Sequence, residues 1–93
     1  KWHLAASLMI SVSVLFFASL QEATHTAAMQ LSLPDDSNLA MLMQRLEQDL
    51  SSDAVAAVQA ENVRIAVNQT LVSSSCTLQD GDEIAFLPPV TGG

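Results

Sequence analysis

The sequence has no tyrosine, one tryptophan and three phenylalanines, too few aromatic faces to build a platform for stacking bases. Basic residues are equally scarce, three against ten acidic ones, for a formal net charge of −7. Nucleic-acid binders and proteins held to anionic membranes both need a cationic surface, so neither class fits. A single cysteine, Cys76, makes no internal disulfide and no zinc cluster. The two histidines, His3 and His25, stand far apart. A self-contained hydrolase, kinase or metalloenzyme therefore lacks its usual groupings here. What is present is 93 residues with 49% apolar content, enough for the core of one small domain and no more. The composition suits a protein that others use, not one catalytic alone.

The longest uncharged run, residues 4–20, has the length of a signal peptide or of a minimal membrane span. Its internal pattern reads differently. Ile10, Val12, Val14 and Phe16 alternate with Ser11, Ser13, Leu15 and Phe17, and period-two alternation with β-branched residues indicates a strand. Met9 stands just before it, so residues 1–8 read as a leader or extension apart from the fold.

A second alternating run places Ala27, Met29, Leu31 and Leu33 on one face, after a polar connection of hairpin-loop length over residues 21–26. Pro34-Asp35-Asp36-Ser37 breaks the strand, with Ser37 the expected N-cap of a helix over residues 38–50. There Leu39, Leu42, Met43, Leu46 and Leu50 recur at helical spacing. Asp53 is expected to cap a short second helix ending by Ala60. Val63, Ile65 and Val67 then alternate, Asn68-Gln69 makes a turn, and Leu71-Val72 resumes briefly. Asp80-Gly81-Asp82 is a strong turn signal before a last strand, residues 83–87, with Ile84 and Phe86 on one face. The order ββ–α–ββ(β) predicts an α+β domain: a mixed sheet with one main helix packed across it.

Pro88-Pro89-Val90-Thr91-Gly92-Gly93 closes the sequence. Proline donates no backbone N–H, so sheet pairing must end at Pro88, and the pair favours a stiff, extended exit. Glycines without Cβ admit the last backbone atoms to a narrow channel. The reactive group is then the α-carboxylate of Gly93, inert until activated, for example by adenylation. By itself Gly-Gly is weak evidence for this, because ordinary flexible end material commonly ends the same way.

Residues 80–93, with their Phe-Leu-Pro-Pro-Val-Thr-Gly-Gly ending, resemble the C-terminal signature of the small, sulfur-carrying subunits of molybdopterin synthases. Ala66-Val67-Asn68-Gln69 resembles that family's central strand and turn, and Val14-Leu15-Phe16-Phe17-Ala18 its first strand. The likeness runs from Met9 to Gly93 in order, and the proline-containing tail separates it from the related thiamin sulfur carrier and from ubiquitin. Two departures stand out. Gln21-Glu22 occupies the place of a frequent Arg-Glu pair, and no glycine follows before Gly81.

The resemblance implies a ubiquitin-like β-grasp domain over residues 9–87 and an extended tail over residues 88–93. It implies a cytoplasmic sulfur carrier working in a heterotetramer with two large synthase subunits at the centre. An adenylyltransferase similar to ubiquitin-activating enzymes would activate Gly93 with its own ATP and magnesium, and a sulfur donor protein would convert it to a thiocarboxylate. The tail (Pro88, Pro89, Val90, Thr91, Gly92) would then enter the large subunit and deliver sulfur to cyclic pyranopterin monophosphate. No cofactor or metal is expected on this chain. With Arg45 and Arg64 the only arginines, the cations holding the substrate's phosphate and the general acid would belong to the large subunit. Leu87, Phe16 and Phe17 are candidates for apolar contact with that partner, although sheet core is the commoner fate of a phenylalanine. Cys76 has no neighbouring cation in sequence to lower its pKa and is set aside as a nucleophile. Asp80, Asp82 and Glu83 lack the spacing of a calcium loop.

Overall fold

The strand pattern at the start of the sequence is realised in full. In a computed structural model describing residues 9–73 and 75–88, β1 (Met9–Phe16) buries Ile10, Val12, Val14 and Phe16 on one side. The leader expected over residues 1–8 lies outside the described residues. β2 (Ala28–Pro34) pairs antiparallel with β1, Val12 opposite Leu31 and Ile10 opposite Leu33, so both strands turn the same face to the core.

The connection between them is not the plain loop expected over residues 21–26. It contains a short helix, α1 (Ser19–Thr24), that buries Leu20 and Thr24. A helix this short is marginal by itself. Leu20 anchors it in the core, and the Thr24 hydroxyl donates to Leu20 O at 2.9 Å or Thr26 O at 2.9 Å, closing the last turn. His25 then stands in the left-handed region and ends it.

The main helix is α2 (Leu39–Asp49), with Leu39, Leu42 and Leu46 buried on one stripe. Its N-cap is Asn38, one residue after the expected Ser37. Asn38 has extended backbone and its Oδ1 accepts from Met41 N at 3.0 Å, which satisfies an otherwise orphaned helix donor. Ser37 is fully buried instead, its hydroxyl donating to Pro34 O and its carbonyl accepting from Leu78 N at 2.8 Å. The second helix, α3 (Ser52–Val58), is capped by Ser51, whose hydroxyl accepts from Ala54 N at 3.2 Å. Asp53, the expected cap, lies in the first turn, where its charge favours the helix dipole. On the α2 surface Arg45 pairs with Asp49 at 3.1 Å and donates to Ser32 O at 2.9 Å. The second bond occupies a carbonyl of β2, an edge strand, where free backbone groups invite unwanted pairing.

β3 (Arg64–Val67), β4 (Thr70–Leu71) and β5 (Glu83–Leu87) complete a five-stranded sheet in the order β2-β1-β5-β3-β4. β1 and β5 run parallel at the centre, while β5 with β3 and β3 with β4 are antiparallel. Ile84 and Phe86 join the core, and the Phe16 and Phe86 rings stack with centroids 5.6 Å apart. The fold is an α+β β-grasp, as expected, with three helices where one main helix and a short second were read.

Leu42→Ala and Phe86→Ala each empty a fully buried site and are expected to cost about 2–5 kcal/mol in urea unfolding, whereas Asn38→Ala is expected to cost about 1 kcal/mol.

Candidate functional site

The sheet face opposite α2 divides into two regions. Toward the β2 edge it is polar: Ser11 lies opposite Ser32 and Ser13 opposite Gln30, and the Gln30 amide donates to Ser13 Oγ at 2.8 Å. Toward β4 it is apolar. Ala66 lies opposite both Ala85 and Leu71, and because the two alanine side chains stop at Cβ the surface there sinks into an open depression of about 410 Å³. Phe17, Leu71 and Leu87 form its apolar rim, with Gln69 and Glu83 supplying polar groups. Phe17 is 44% and Leu71 52% exposed. Ala66 and Ala85 between them are buried.

Leu87 ends β5 opposite Arg64, and Pro88 follows half-buried. The tail therefore starts at the border of the apolar depression. Residues 89–93, which include Pro89, Val90, Thr91, Gly92 and Gly93, lie outside the described residues. Phe17 is brought to the same place from the other end of the sequence, its N–H donating to Phe86 O at 3.3 Å as it leaves β1.

Of the three interface candidates, the structure leaves two on the surface. Phe16 is 1% exposed and stacked on Phe86, so it is core and offers no area to a partner. Phe17 and Leu87 point the opposite way and line the depression. Leu71, Ala66, Ala85 and Gln69 are not among the residues that the sequence offers as partner contacts. A two-residue turn at Asn68-Gln69 sets Ala66 opposite Leu71 by register alone, so that part of the signal was present.

At the far end of β5 a polar clasp sets its register. Asp82 accepts from Asn68 Nδ2 at 2.8 Å and from Gln79 N at 2.8 Å, while Asn68 Oδ1 accepts from Glu83 N at 3.0 Å. Asp80 Oδ1 accepts from Ser11 N at 2.7 Å, and Gly81, at φ 88°, donates to Ser11 O at 2.7 Å. These carboxylates are committed to backbone N–H groups and to the Asn68 amide. Among the described residues no group of three His, Cys, Asp or Glu is placed to hold a metal ion. Cys76 is half-buried beside Thr77, its thiol 3.5 Å from that carbonyl and away from the depression.

Both turns flanking the apolar region carry side chains where glycine is the usual occupant. Asn68 and Gln69 have φ 52° and 72°, the signs of a type I′ hairpin turn, and Ala18 has φ 50° and ψ −123°. Such conformations cost of order 1–3 kcal/mol each for a non-glycine residue, least for asparagine.

The model of the ThiS family matches residues 14–93, which takes in the depression, the tail and all of the clasp except Ser11. The chain belongs to the ThiS family. The molybdopterin synthase sulfur carrier subunit of Escherichia coli K12 is 42% identical over 82 residues, covering 88% of this chain and 99% of that one. The solution structure of small archaeal modifier protein 1 from Methanosarcina acetivorans superposes with a TM-score of 0.75 at 25% identity, covering 91% of this chain and 98% of that one. A complex of subunits 1 and 2 of the molybdopterin-converting factor from Helicobacter pylori contains a chain with a TM-score of 0.65 at 26% identity, covering 90% and 100%. No described helix is long and apolar enough to cross a membrane.

Within this ThiS-family chain the clasp and the depression are separable. Asn68→Ala removes two of the clasp's hydrogen bonds and is expected to cost about 1–3 kcal/mol in urea unfolding, while Leu71→Ser, on the exposed rim, is expected to stay within about 0.5 kcal/mol.

Proposed function

We propose that the chain is the sulfur-carrier subunit of a molybdopterin synthase, with the carboxylate of Gly93 as the group that carries sulfur. The observation that carries this reading is the 42% identity to the Escherichia coli sulfur carrier subunit across 99% of that protein. The geometry supports it: a rigid sheet ends at Leu87 beside an uncovered apolar face, and the last six residues contain two prolines and two glycines.

In this reading the activating partner binds ATP and magnesium. A Gly93 carboxylate oxygen attacks the α-phosphorus of ATP, pyrophosphate leaves, and an acyl adenylate results. The terminal sulfur of a donor protein's persulfide attacks the carbonyl carbon and AMP departs. A second thiol then reduces the sulfur–sulfur bond, leaving the thiocarboxylate and a disulfide on the donor side. Inside the large subunit the thiocarboxylate sulfur attacks a carbon of cyclic pyranopterin monophosphate as that carbon's C–O bond breaks, and water then cleaves the acyl–sulfur bond, leaving sulfur on the substrate and Gly93 a carboxylate again. Beyond the sulfur on Gly93 this chain supplies position, since confinement replaces a diffusive encounter.

The apolar depression is the proposed seat of the large subunit. Phe17, Leu71 and Leu87 offer the desolvated centre that aromatic and aliphatic anchors give an interface, with Glu83 at its edge. With ten acidic residues, the chain is drawn toward a basic partner surface, an effect that weakens with added salt. The substrate's phosphate is left to cations of the large subunit.

Intact mass spectrometry after incubation with an activating enzyme, ATP and a sulfur donor tests the chemistry. The expected product has one oxygen replaced by one sulfur at Gly93, and a chain lacking Gly93 stays unchanged. An unmodified natural chain beside an active control carrier overturns the reading. The face is tested apart from the tail. Ala85→Met fills the depression and is expected to weaken the complex with the large subunit about tenfold or more while changing stability by about 1 kcal/mol. Isothermal titration and urea unfolding read the two effects.

A further inference from the structure

Phe17, Ala18, Ser19 and Leu20 form a turn closed by Leu20 N–H donating to Phe17 O at 3.0 Å. Ala18 occupies its first central position at φ 50° and ψ −123°, type II′ geometry that glycine adopts freely and an L-residue only with its Cβ crowded against backbone. Ala18 stands at the N-cap of α1, where its carbonyl accepts from Gln21 N at 3.0 Å and Glu22 N at 3.4 Å, while its side chain makes no capping hydrogen bond and the residue is exposed. Those carbonyl bonds require no particular side chain, so the strain directs attention to the geometry that an alanine enforces there.

What it enforces is the placement of Phe17. That residue is held on one side by its N–H bond to Phe86 O at 3.3 Å and on the other by the carbonyl that closes the turn. Between the two, its ring is left on the open face, 44% exposed, at the rim shared with Ala85 and Leu87. Glycine at position 18 would relieve the strain but widen the range of directions the turn can take. The Cβ of an alanine narrows that range, so less freedom is lost when a partner seats on the ring.

We propose that Ala18 is a positioning residue for partner recognition, holding Phe17 as a pre-aimed anchor for the large synthase subunit; this rests on the sulfur-carrier reading above. The occupant follows from continuity: Leu87 and Pro88 begin the tail at the same rim, so a protein that receives the tail lies against Phe17.

Two variants separate strain from rigidity. Ala18→Gly relieves the strain and loosens the turn. Ala18→D-Ala, accessible by chemical synthesis with a ligation at Cys76, relieves the strain and keeps the turn rigid, because a D-residue prefers this backbone region. Thermal unfolding, titration against the large subunit and steady-state turnover with the thiocarboxylated chain as substrate are the measurements. Ala18→Gly is expected to keep or raise Tm, to weaken binding about 3–10-fold and to raise KM for the carrier with kcat unchanged. Ala18→D-Ala is expected to raise Tm and to bind as the natural chain does. Phe17→Ala is expected to lose about 30-fold or more in affinity. Equal affinity of the natural and Ala18→Gly chains overturns the proposal, as does a D-Ala variant that binds no better than the glycine one. A natural chain that is thiocarboxylated yet forms no complex overturns the choice of partner, and one that is never thiocarboxylated overturns the carrier reading itself.

Discussion

The parallel pairing of β1 with β5 is the contact on which the rest of the structure depends. It brings the first strand of the domain beside the last, with Val14 opposite Ile84 and Phe16 opposite Phe86. The stacked rings of Phe16 and Phe86 lie beneath it in the core, where burial removes large apolar areas from water. A parallel pair cannot be closed by a hairpin and needs a long crossover. Here that crossover holds β2, both longer helices and β3, so the whole domain is wrapped around one pairing. Loss of this register would also separate Phe17 from Leu87, since each lies just beyond the paired residues.

The same pairing explains why one sheet face does two jobs. The side chains of β1 and β5 alternate across the sheet, so a core residue and a surface residue are neighbours in sequence. Phe16 and Phe17 are the clearest case. Chemically identical and adjacent, they are assigned to core and surface by the pleat alone. On the surface side, serines and Gln30 satisfy one another toward β2, while toward β4 the exposed Phe17 and Leu71 and the half-buried Leu87 surround two buried alanines. An exposed apolar region confined to one end of a polar face marks a place for contact, and this one borders the start of the tail at Leu87 and Pro88.

Rigidity around this surface is obtained without glycine. Ala18, Asn68 and Gln69 take backbone conformations that glycine would adopt with less strain, while two of the three glycines in the chain stand at its end. Side chains thus occupy the strained turns beside the surface, where glycine would let its shape vary. The clasp of Asn68, Asp80 and Asp82 serves the same end. It ties the β3–β4 turn and the loop before β5 to β1, so β5 reaches Leu87 with no slack in register.

Periodicity determined much of this protein by itself. Alternation placed β1, β2 and β5 and their buried faces, and the spacing of Leu39, Leu42 and Leu46 placed α2. The prolines marked where pairing stops. These are local effects, written in side-chain order because strand and helix repeats are short. The caps were read a residue or two away, Ser37 for Asn38 and Asp53 for Ser51. Several oxygens compete for each helix start, and packing decides which one is free to turn inward; Ser37 is drawn into the interior by Leu78 and Pro34. Helix α1 was invisible for a related reason, since its few residues have no stability apart from the core that receives Leu20. The candidate site was legible only in part. Its tail and two rim residues, Phe17 and Leu87, could be picked out, but the depression joins β3, β4 and β5 with the end of β1. Only tertiary pairing sets Ala66 beside Ala85, or strains Ala18 to hold Phe17 in place, because long-range register is fixed by the shared core and not by any local repeat.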